Sequence, residues 1–193
     1  MKCLLCEGLS FTHICKHCQE TFLKPSLYKR KIQNIEVISF YKYHDIKRFL
    51  HTKHTDIGFY IYSILAKNSF KKFAQAFSFE EDTVSIAIDD TVKSGYSHTA
   101  ILNCALKSKN INPLNNKLRA NNTTSYSGQN REFRLTNKRD FQMKEIKEQN
   151  IILVDDIITT GSTLTQAIEL MQANKKEVLF CLTLADSSLK ETF

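Results

Sequence analysis

The chain has 193 residues, 42% of them hydrophobic, and a formal net charge of +7 at pH 7. This length and composition predict one ordinary globular domain with a real core and room for a small appendage. No apolar run approaches the length of a membrane span, and polar residues and cysteines interrupt any signal-peptide pattern at the N-terminus. We therefore expect no transmembrane segment and a cytosolic protein. The positive charge weakly favours polyanionic partners, with a solvated basic surface as the alternative.

Four of the six cysteines stand in the first eighteen residues, as two Cys-x2-Cys pairs. Each pair can bring two thiolates to one ion, so Cys3, Cys6, Cys15 and Cys18 together complete a tetrahedral shell. The short, symmetrical spacing favours a structural zinc ion (Zn2+) over an iron–sulfur cluster. A disulfide-bonded arm is the alternative, which a cytosolic chain disfavours.

The other cysteines and the two histidines near the pairs are interpreted differently. Cys104 and Cys181 lie in apolar stretches, which predicts buried core thiols. His13 and His17 are predicted to be exposed or to support the metal site from outside, because four thiolates already complete its shell.

A basic segment follows the four-Cys module and is interpreted as a linker, either solvated or touching a phosphate backbone. Beyond it, apolar and polar residues alternate from Ile35 to Tyr41, which predicts a half-buried strand. We therefore divide the chain into a zinc-binding module with its linker at 1–34 and a main domain at 35–193. The basic residues of the linker are Lys24, Lys29, Arg30 and Lys31.

Two helices separated by a short polar loop are predicted next, from apolar residues at helical spacing. A third helical stripe and a strand at Val84–Ile88 follow, all expected in the core. The predicted apolar positions are Ile46, Phe49 and Leu50 in the first helix, Ile57, Tyr60, Ile61, Ile64 and Leu65 in the second, and Phe70, Phe73, Ala74 and Phe77 in the third.

From Leu106 to Asn137 the chain is polar and cationic, which predicts a long loop that serves as a lid or a binding loop. Aromatic rings beside positive charges suit single-stranded DNA, because bases stack on the rings while the charges meet phosphates. A solvated loop with incidental charge is the alternative. The candidate DNA-binding residues are Lys117, Arg119, Tyr126, Arg131, Arg134, Lys138 and Arg139.

The most informative stretch is 151–164. Ile151–Val154 predicts a strand buried on both faces, and apolar residues at helical spacing begin at Leu164. Between them lie Asp155, Asp156 and a hydroxyl-rich loop at a helix N-terminus, where unpaired N–H groups favour an anion. Two carboxylates beside such a loop suit the vicinal hydroxyls and the phosphate of a sugar phosphate. Alternatively, the acids are solvated strand-end residues and Ser162 is a helix cap.

Residues 154–163, Val-Asp-Asp-Ile-Ile-Thr-Thr-Gly-Ser-Thr, resemble the phosphoribosyl pyrophosphate (PRPP) motif of type I phosphoribosyltransferases. The resemblance implies an α/β fold with a mostly parallel twisted sheet flanked by helices, and PRPP bound together with Mg2+. It also implies that Asp155 and Asp156 are the catalytic pair that holds the ribose hydroxyls, either of which can take a proton from an acceptor. The residues implied to hold the 5′-phosphate are Thr159, Thr160, Gly161, Ser162 and Thr163.

Two other segments are compared with the same family. In the family a short loop near Lys53, His54 and Thr55 binds pyrophosphate, and an ordinary basic connection between helices is the alternative. After the next strand the family has Arg-Gly-Phe-Asn-Gln, whereas this chain keeps only the Gly–aromatic pair, Gly95–Tyr96, and alters the Arg and Gln positions.

A four-Cys module ahead of one such domain resembles the ComF family of competence proteins. This resemblance implies a role in natural transformation, handling incoming single-stranded DNA in the cytosol and near the inner membrane, together with DNA-uptake and recombination proteins. The alternative is a phosphoribosyltransferase of nucleobase salvage, which joins PRPP to a base and releases pyrophosphate. The sequence leaves open whether the chain catalyses transfer.

Overall fold

The architecture is a mostly parallel seven-stranded sheet flanked by helices, in the order β1-β2-β7-β6-β3-β4-β5. In a computed structural model, the described residues are 1–79, 81–89, 95–120 and 141–189. The α/β fold class expected from the sequence is therefore confirmed. The strands are β1 Tyr28–Ile32, β2 Ile35–Lys42, β3 Thr83–Asp89, β4 Ile111–Ala120, β5 Phe141–Met143, β6 Asn150–Ile158 and β7 Glu177–Asp186.

The helices of the described residues pack on both faces of this sheet. None of them is long and apolar enough to cross a membrane. They are α1 Lys16–Phe22, α2 Tyr43–Leu50, a 3-10 helix at His51–His54, α3 Asp56–Asn68, α4 Phe70–Ala76, α5 His98–Cys104 and α6 Ser162–Ala173.

The centre of the sheet is parallel, with β6 paired to β3 on one side and to β7 on the other. Such strands are covered on both faces, which explains the continuous apolar run at 151–154. Strand β2 was predicted to be half-buried, but its residues 37–41 are all buried. It lies between β1 and β7 rather than at an edge, so both of its faces are covered.

The predicted basic linker is partly a strand. Residues 28–32 form β1, which pairs antiparallel with β2 at the edge of the sheet. The alternating burial of β1 leaves Lys29 and Lys31 exposed, and Lys29 forms an ion pair with Glu36 at 3.0 Å. The linker interpretation was therefore wrong for this part of the chain. The boundary between residues 34 and 35 stays a prediction.

The predicted loop at 106–137 begins with a strand, because residues 111–120 form β4 beside β3. Among the described residues β5 pairs with 118–120 of β4, so Pro113 lies where β4 has a described neighbour, β3, on one side. A bulge between Leu114 and Leu118 contains Asn116 with φ 55°. This irregularity hid the strand, because the apolar positions of β4 do not keep a two-residue period.

Two buried clusters form the core, one on each face of the sheet. Helix α6 packs Leu164, Ile168 and Met171 against one face. Helices α2–α5 cover the other face, and Cys3, Ile14 and Cys18 of the four-Cys module belong to the same cluster. In α3 the fully buried positions are shifted by one residue from the prediction. They are Gly58, Ile61, Tyr62, Leu65 and Ala66, whereas Tyr60 is exposed.

Candidate functional site

The paired acids lie inside β6, since the strand continues to Ile158 rather than ending before them. Strand β7 pairs with this last part, Asp155 with Thr183 and Ile157 with Ala185. Both acids are largely buried, 9% exposed for Asp155 and 7% for Asp156. The interpretation of these acids as solvated strand-end residues is therefore wrong. Their burial requires partners, because an isolated buried carboxylate is costly.

Asp156 has two cationic or potentially cationic partners on one oxygen. Its Oδ2 lies 2.9 Å from Lys53 Nζ and 3.2 Å from His98 Nε2. Burial alone would raise the pKa of Asp156, but the charges of Lys53 and His98 and their hydrogen bonds outweigh it and lower this pKa well below its usual value. Asp156 is therefore an anion at neutral pH, which is the state that accepts hydrogen bonds from hydroxyls.

Asp155 is oriented by the backbone of its neighbour, since its Oδ1 accepts a hydrogen bond of 2.8 Å from the N–H of Asp156. The two carboxylates are thus fixed by different means, one by the strand itself and the other by side chains from distant elements. Both belong to the carboxyl-terminal half of β6, the end of a parallel strand where ligands bind in open α/β sheets.

The hydroxyl-rich loop turns at Gly161, which has φ 86° and stands at the cap position of α6. This left-handed conformation favours glycine, and a Cβ there would also collide with Ile32 Cδ1 of β1. Ser162 is the first residue of α6 rather than its cap, which corrects that alternative. Thr160 is exposed, and Thr159, Ser162 and Thr163 are half-buried. The loop therefore presents hydroxyls and first-turn N–H groups to solvent.

Sequence reasoning missed Arg30 as a site residue. From β1, its Nη2 donates to the carbonyl of Thr159 at 2.8 Å and its Nη1 donates to Ser188 Oγ at 3.1 Å. Its Nε also lies 3.3 Å from Asp186 Oδ2, and Asp186 is buried at the end of β7. Arg30 thus joins the start of the hydroxyl-rich loop to the neighbouring strand end. In the sequence it stands within a basic run, which gave no sign of this role.

The candidate pyrophosphate loop lies beside the acids. Lys53 and His54 end the 3-10 helix and Thr55 follows it, so the fold brings Lys53 to Asp156 although the helix connection is 103 residues away in sequence. Tyr96 Oη donates to the carbonyls of Lys53 and Thr55, at 2.9 and 3.1 Å. The Gly–aromatic pair seen in the sequence therefore supplies a side chain that fastens this loop.

The four N-terminal cysteines form one cluster, with their Sγ atoms all within 4.8 Å of one another. Cys3 Sγ accepts backbone N–H groups from Leu5 at 3.4 Å and from Cys15 at 3.2 Å. Cys15 Sγ accepts the N–H of Cys18 at 3.4 Å. These donors stabilise thiolates, and a tetrahedral cation at the centre would satisfy all four sulfurs. The cluster therefore fits a metal ion.

The pKa values of these thiols diverge, as expected when close sulfurs compete for one charge. Burial would raise the pKa of Cys3, but N–H groups of Cys15, Cys6 and Leu5 outweigh it and lower the value to about 6. Burial and the neighbouring sulfurs raise the pKa of Cys18 to about 12. Four thiolates at these distances repel one another, so a cation is needed for all to ionise together.

Other predicted positions divide between confirmed and corrected. Cys181 is buried, as expected, and burial raises its pKa. Cys104 is exposed rather than a core thiol, and it accepts a hydrogen bond of 3.2 Å from Asn115. His17 is exposed, and the His13 ring packs edge-on against Tyr60 at 4.8 Å.

Only two of the candidate DNA-binding residues fall within the described part of the chain. Arg119 is exposed on β4, and the Lys117 ammonium donates to the carbonyl of Glu145 at 2.6 Å. The structure does not place these two residues beside the acids of β6, since β3 lies between β4 and β6 in the sheet. Tyr126, Arg131, Arg134, Lys138 and Arg139 lie outside the described residues.

Comparison with known proteins supports the class of domain that these features indicate. Residues 111–191, from β4 through the acids and the hydroxyl-rich loop, match the family model of the phosphoribosyl transferase domain. This carboxyl-terminal part of the chain is therefore similar in sequence to that domain. No curated protein sequence matches the chain.

The chain is similar at low identity to solved structures of phosphoribosyltransferases. Adenine phosphoribosyltransferase from Saccharomyces cerevisiae is 17% identical, with a TM-score of 0.41 and 89% of each chain covered. Orotate phosphoribosyltransferase from Aeropyrum pernix is 15% identical, with a TM-score of 0.39, 88% of this chain and 80% of that one covered. A hypoxanthine phosphoribosyltransferase from Staphylococcus aureus is 16% identical, with a TM-score of 0.38 and coverage of 68% and 70%.

Proposed function

We propose that the protein binds PRPP or a related sugar phosphate at the carboxyl end of β6, as a ComF-type protein of natural transformation. The observation that carries the binding proposal is the pair of buried, oriented carboxylates, Asp155 and Asp156, followed within five residues by a glycine turn that opens a helix. Acceptors for two vicinal hydroxyls and donors for a phosphate thus stand next to each other along one strand and loop.

The proposed binding mode assigns one part of the ligand to each group. The carboxylates accept hydrogen bonds from the ribose hydroxyls, and the loop from Thr159 to Thr163 donates hydroxyl and N–H groups to the 5′-phosphate. Lys53, His54 and Thr55 would face the pyrophosphate of PRPP, with Mg2+ reducing the negative charge between ligand and acids. Two carboxylates alone would repel a polyphosphate, so the nearby Lys53 ammonium favours this arrangement.

The proposed role in transformation rests on the four-Cys module, which a minimal transferase does not need, and on the positive net charge of the chain. We propose Zn2+ as the metal, a module spanning 1–34 and a main domain spanning 35–193. Single-stranded DNA would meet the cationic residues from Lys117 to Arg139 in the cytosol, beside DNA-uptake and recombination proteins at the inner membrane.

Base salvage is the second candidate, favoured by the match of residues 111–191 to the transferase domain. In this reaction the bond between the ribose anomeric carbon and pyrophosphate breaks, and a nitrogen of the base bonds to that carbon. Asp155 or Asp156 would then accept the proton that the base loses. The DNA-handling role and the salvage role share one binding site and differ in the acceptor.

Two measurements made side by side separate the candidates. Release of pyrophosphate is assayed with PRPP, Mg2+ and a panel of purine and pyrimidine bases, and a short single-stranded DNA is titrated at several salt concentrations. We expect DNA affinity that falls steeply with salt, because neutralised phosphates release counterions, and no base-dependent turnover. Turnover with one base and no DNA binding would favour salvage instead.

PRPP binding itself is tested by calorimetry on the wild type and on the double variant Asp155→Ala, Asp156→Ala. We expect the heat of PRPP binding to disappear in the variant, while its circular dichroism spectrum stays unchanged. An unchanged PRPP affinity would overturn the binding proposal for both candidate roles.

A further inference from the structure

His98 is buried at the first turn of α5, with 7% of its surface exposed. Its Nε2 lies 3.2 Å from Asp156 Oδ2, and its ring packs edge-on against the Tyr62 ring, with 5.4 Å between the ring centroids. A ring nitrogen at this distance from a carboxylate carries its hydrogen, since two lone pairs would repel. His98 therefore points a donor at one of the two proposed ribose ligands.

The residues on both sides of His98 are held by a third acid. Ser97 Oγ and Thr99 Oγ1 both donate to Asp89 Oδ1 at the end of β3, at 2.5 and 2.9 Å. Ser97 also caps α5 by accepting the N–H of Ala100 at 3.0 Å. The backbone at His98 is thus tied to β3, the strand next to β6 in the sheet. Hydrogen bonds of the flanking residues thus restrict where the His98 side chain can lie.

The second donor to Asp156, Lys53, is a different kind of support. Lys53 reaches Oδ2 at 2.9 Å through a flexible four-carbon stem, and it belongs to the loop proposed to face pyrophosphate. His98 has a shorter side chain, which is 7% exposed and packs against the Tyr62 ring. The two donors therefore reach the same oxygen of Asp156 from different elements, Lys53 from the 3-10 helix and His98 from α5.

We infer that His98 is a positioning residue for sugar recognition, which holds the Asp156 carboxylate by Oδ2 so that Oδ1 faces a ribose hydroxyl. This inference rests on the proposed sugar-phosphate function and deepens it. It assigns His98 to the recognition of the sugar and not to that of the phosphate. Counted from Gly95, His98 stands where the motif Arg-Gly-Phe-Asn-Gln has its Gln. At this position the chain therefore carries a histidine that donates to Asp156.

The test separates sugar from phosphate by titrating ribose 5-phosphate and inorganic phosphate into the full chain, followed by NMR chemical shifts. His98→Leu fills the space beside Tyr62 but cannot donate, and His98→Gln keeps an N–H donor. His44→Leu on α2, where His44 contacts Asp45, is the matched control. We expect His98→Leu to weaken ribose 5-phosphate about tenfold, as for a lost hydrogen bond to a charged group. Inorganic phosphate should be unaffected, and His98→Gln should recover most of the loss.

Each other outcome counts against a specific statement. Equal losses for both ligands in His98→Leu would make His98 a structural residue and overturn the inference, as would unchanged ribose 5-phosphate binding. If His98→Leu fails to fold, His98→Gln decides, because the inference requires it to bind both ligands nearly as the wild type does. A wild-type protein that binds neither ligand would overturn the proposed function itself.

Discussion

Arg30 Nη2 donates a 2.8 Å hydrogen bond to the carbonyl oxygen of Thr159, although the two residues are 129 positions apart. The bond connects edge strand β1, which follows the four-Cys module, to the first residue of the hydroxyl-rich loop. The same guanidinium contacts buried Asp186, so one side chain supports two neighbouring strand ends. The loop is therefore held by the N-terminal part of the chain as well as by β6.

Arg30→Ala is expected to lower the free energy of unfolding by about 2 kcal/mol, because it leaves the buried Asp186 carboxylate without its cation. Phosphate affinity should fall as well, since the Thr159 carbonyl loses its donor. Urea unfolding measures the first effect and phosphate titration the second. Lys29→Ala, which breaks an exposed pair on the same strand, is the control and should cost less than about 0.5 kcal/mol. Equal costs for both variants would contradict the assigned role of Arg30.

The lowered pKa of Asp156 predicts a stability that depends on pH through Lys53. A carboxyl whose folded pKa lies below its unfolded value, about 3.9, contributes stability that is fully present above that value and is lost as pH falls through the folded pKa. Lys53→Met removes the strongest cause of the lowering. The wild type should thus be more stable than Lys53→Met at pH 7, and the difference should shrink as the pH falls below about 4.

Chemical denaturation at pH 7, 5 and 3.5 measures this difference. Lys47→Met, a change of the same type on α2, is the control and should give no such trend. A stability difference between wild type and Lys53→Met that is constant over this range would show that the ammonium does not set the charge of Asp156.

Metal removal should destabilise the N-terminal module, because its sulfurs would be left without the ion that holds them together. Elemental analysis is expected to find about one zinc per chain, and a strong chelator should lower the thermal midpoint. Cys6→Ser should abolish stoichiometric zinc, whereas Cys104→Ser, an exposed thiol outside the cluster, should retain it. Metal-free protein with an unchanged midpoint would refute the metal site.

Gly58→Ala should disturb the loop that carries Lys53. A Cβ at this buried position of α3 would collide with the Thr52 carbonyl oxygen and the Tyr96 hydroxyl, and a backbone carbonyl cannot easily move aside. We expect a loss of about 2 kcal/mol in unfolding free energy despite the better helix propensity of alanine. In Gly8→Ala the new Cβ meets only Cys6 Sγ at 3.5 Å, an ordinary contact, so that variant should stay close to wild type. Wild-type stability of Gly58→Ala would contradict the described packing.

The strand, loop and helix around 151–164 could be predicted because everything that forms them is local. A run of apolar residues, a change of period and a glycine between hydroxyls are all visible within fourteen residues. The cysteine cluster was predictable for the same reason, since the two Cys-x2-Cys pairs are short and local in the sequence. The identity of the metal and the roles of the site residues stay predictions.

The partners of the acids could not be predicted, because sheet order decides them. His98 reaches Asp156 only because β3 and β6 are neighbours, and Arg30 reaches Thr159 only because β1 folds onto β2. A single histidine in a polar stretch and a single arginine in a basic run look like solvated residues in the sequence. Strand β4 was missed for a local reason, the bulge at Asn116, which breaks its alternation.

The four-Cys module shares a core with the sheet, since Cys3, Ile14 and Leu23 pack in one cluster with Ile46 and Phe49. A chain shortened by its first 23 residues would expose the apolar surface around Ile46 and Phe49 to solvent. The shortened protein should self-associate and precipitate during expression rather than remain as a soluble domain. Oxidants or chelators that remove the metal from the module would then lower the solubility of the protein before they affect ligand binding.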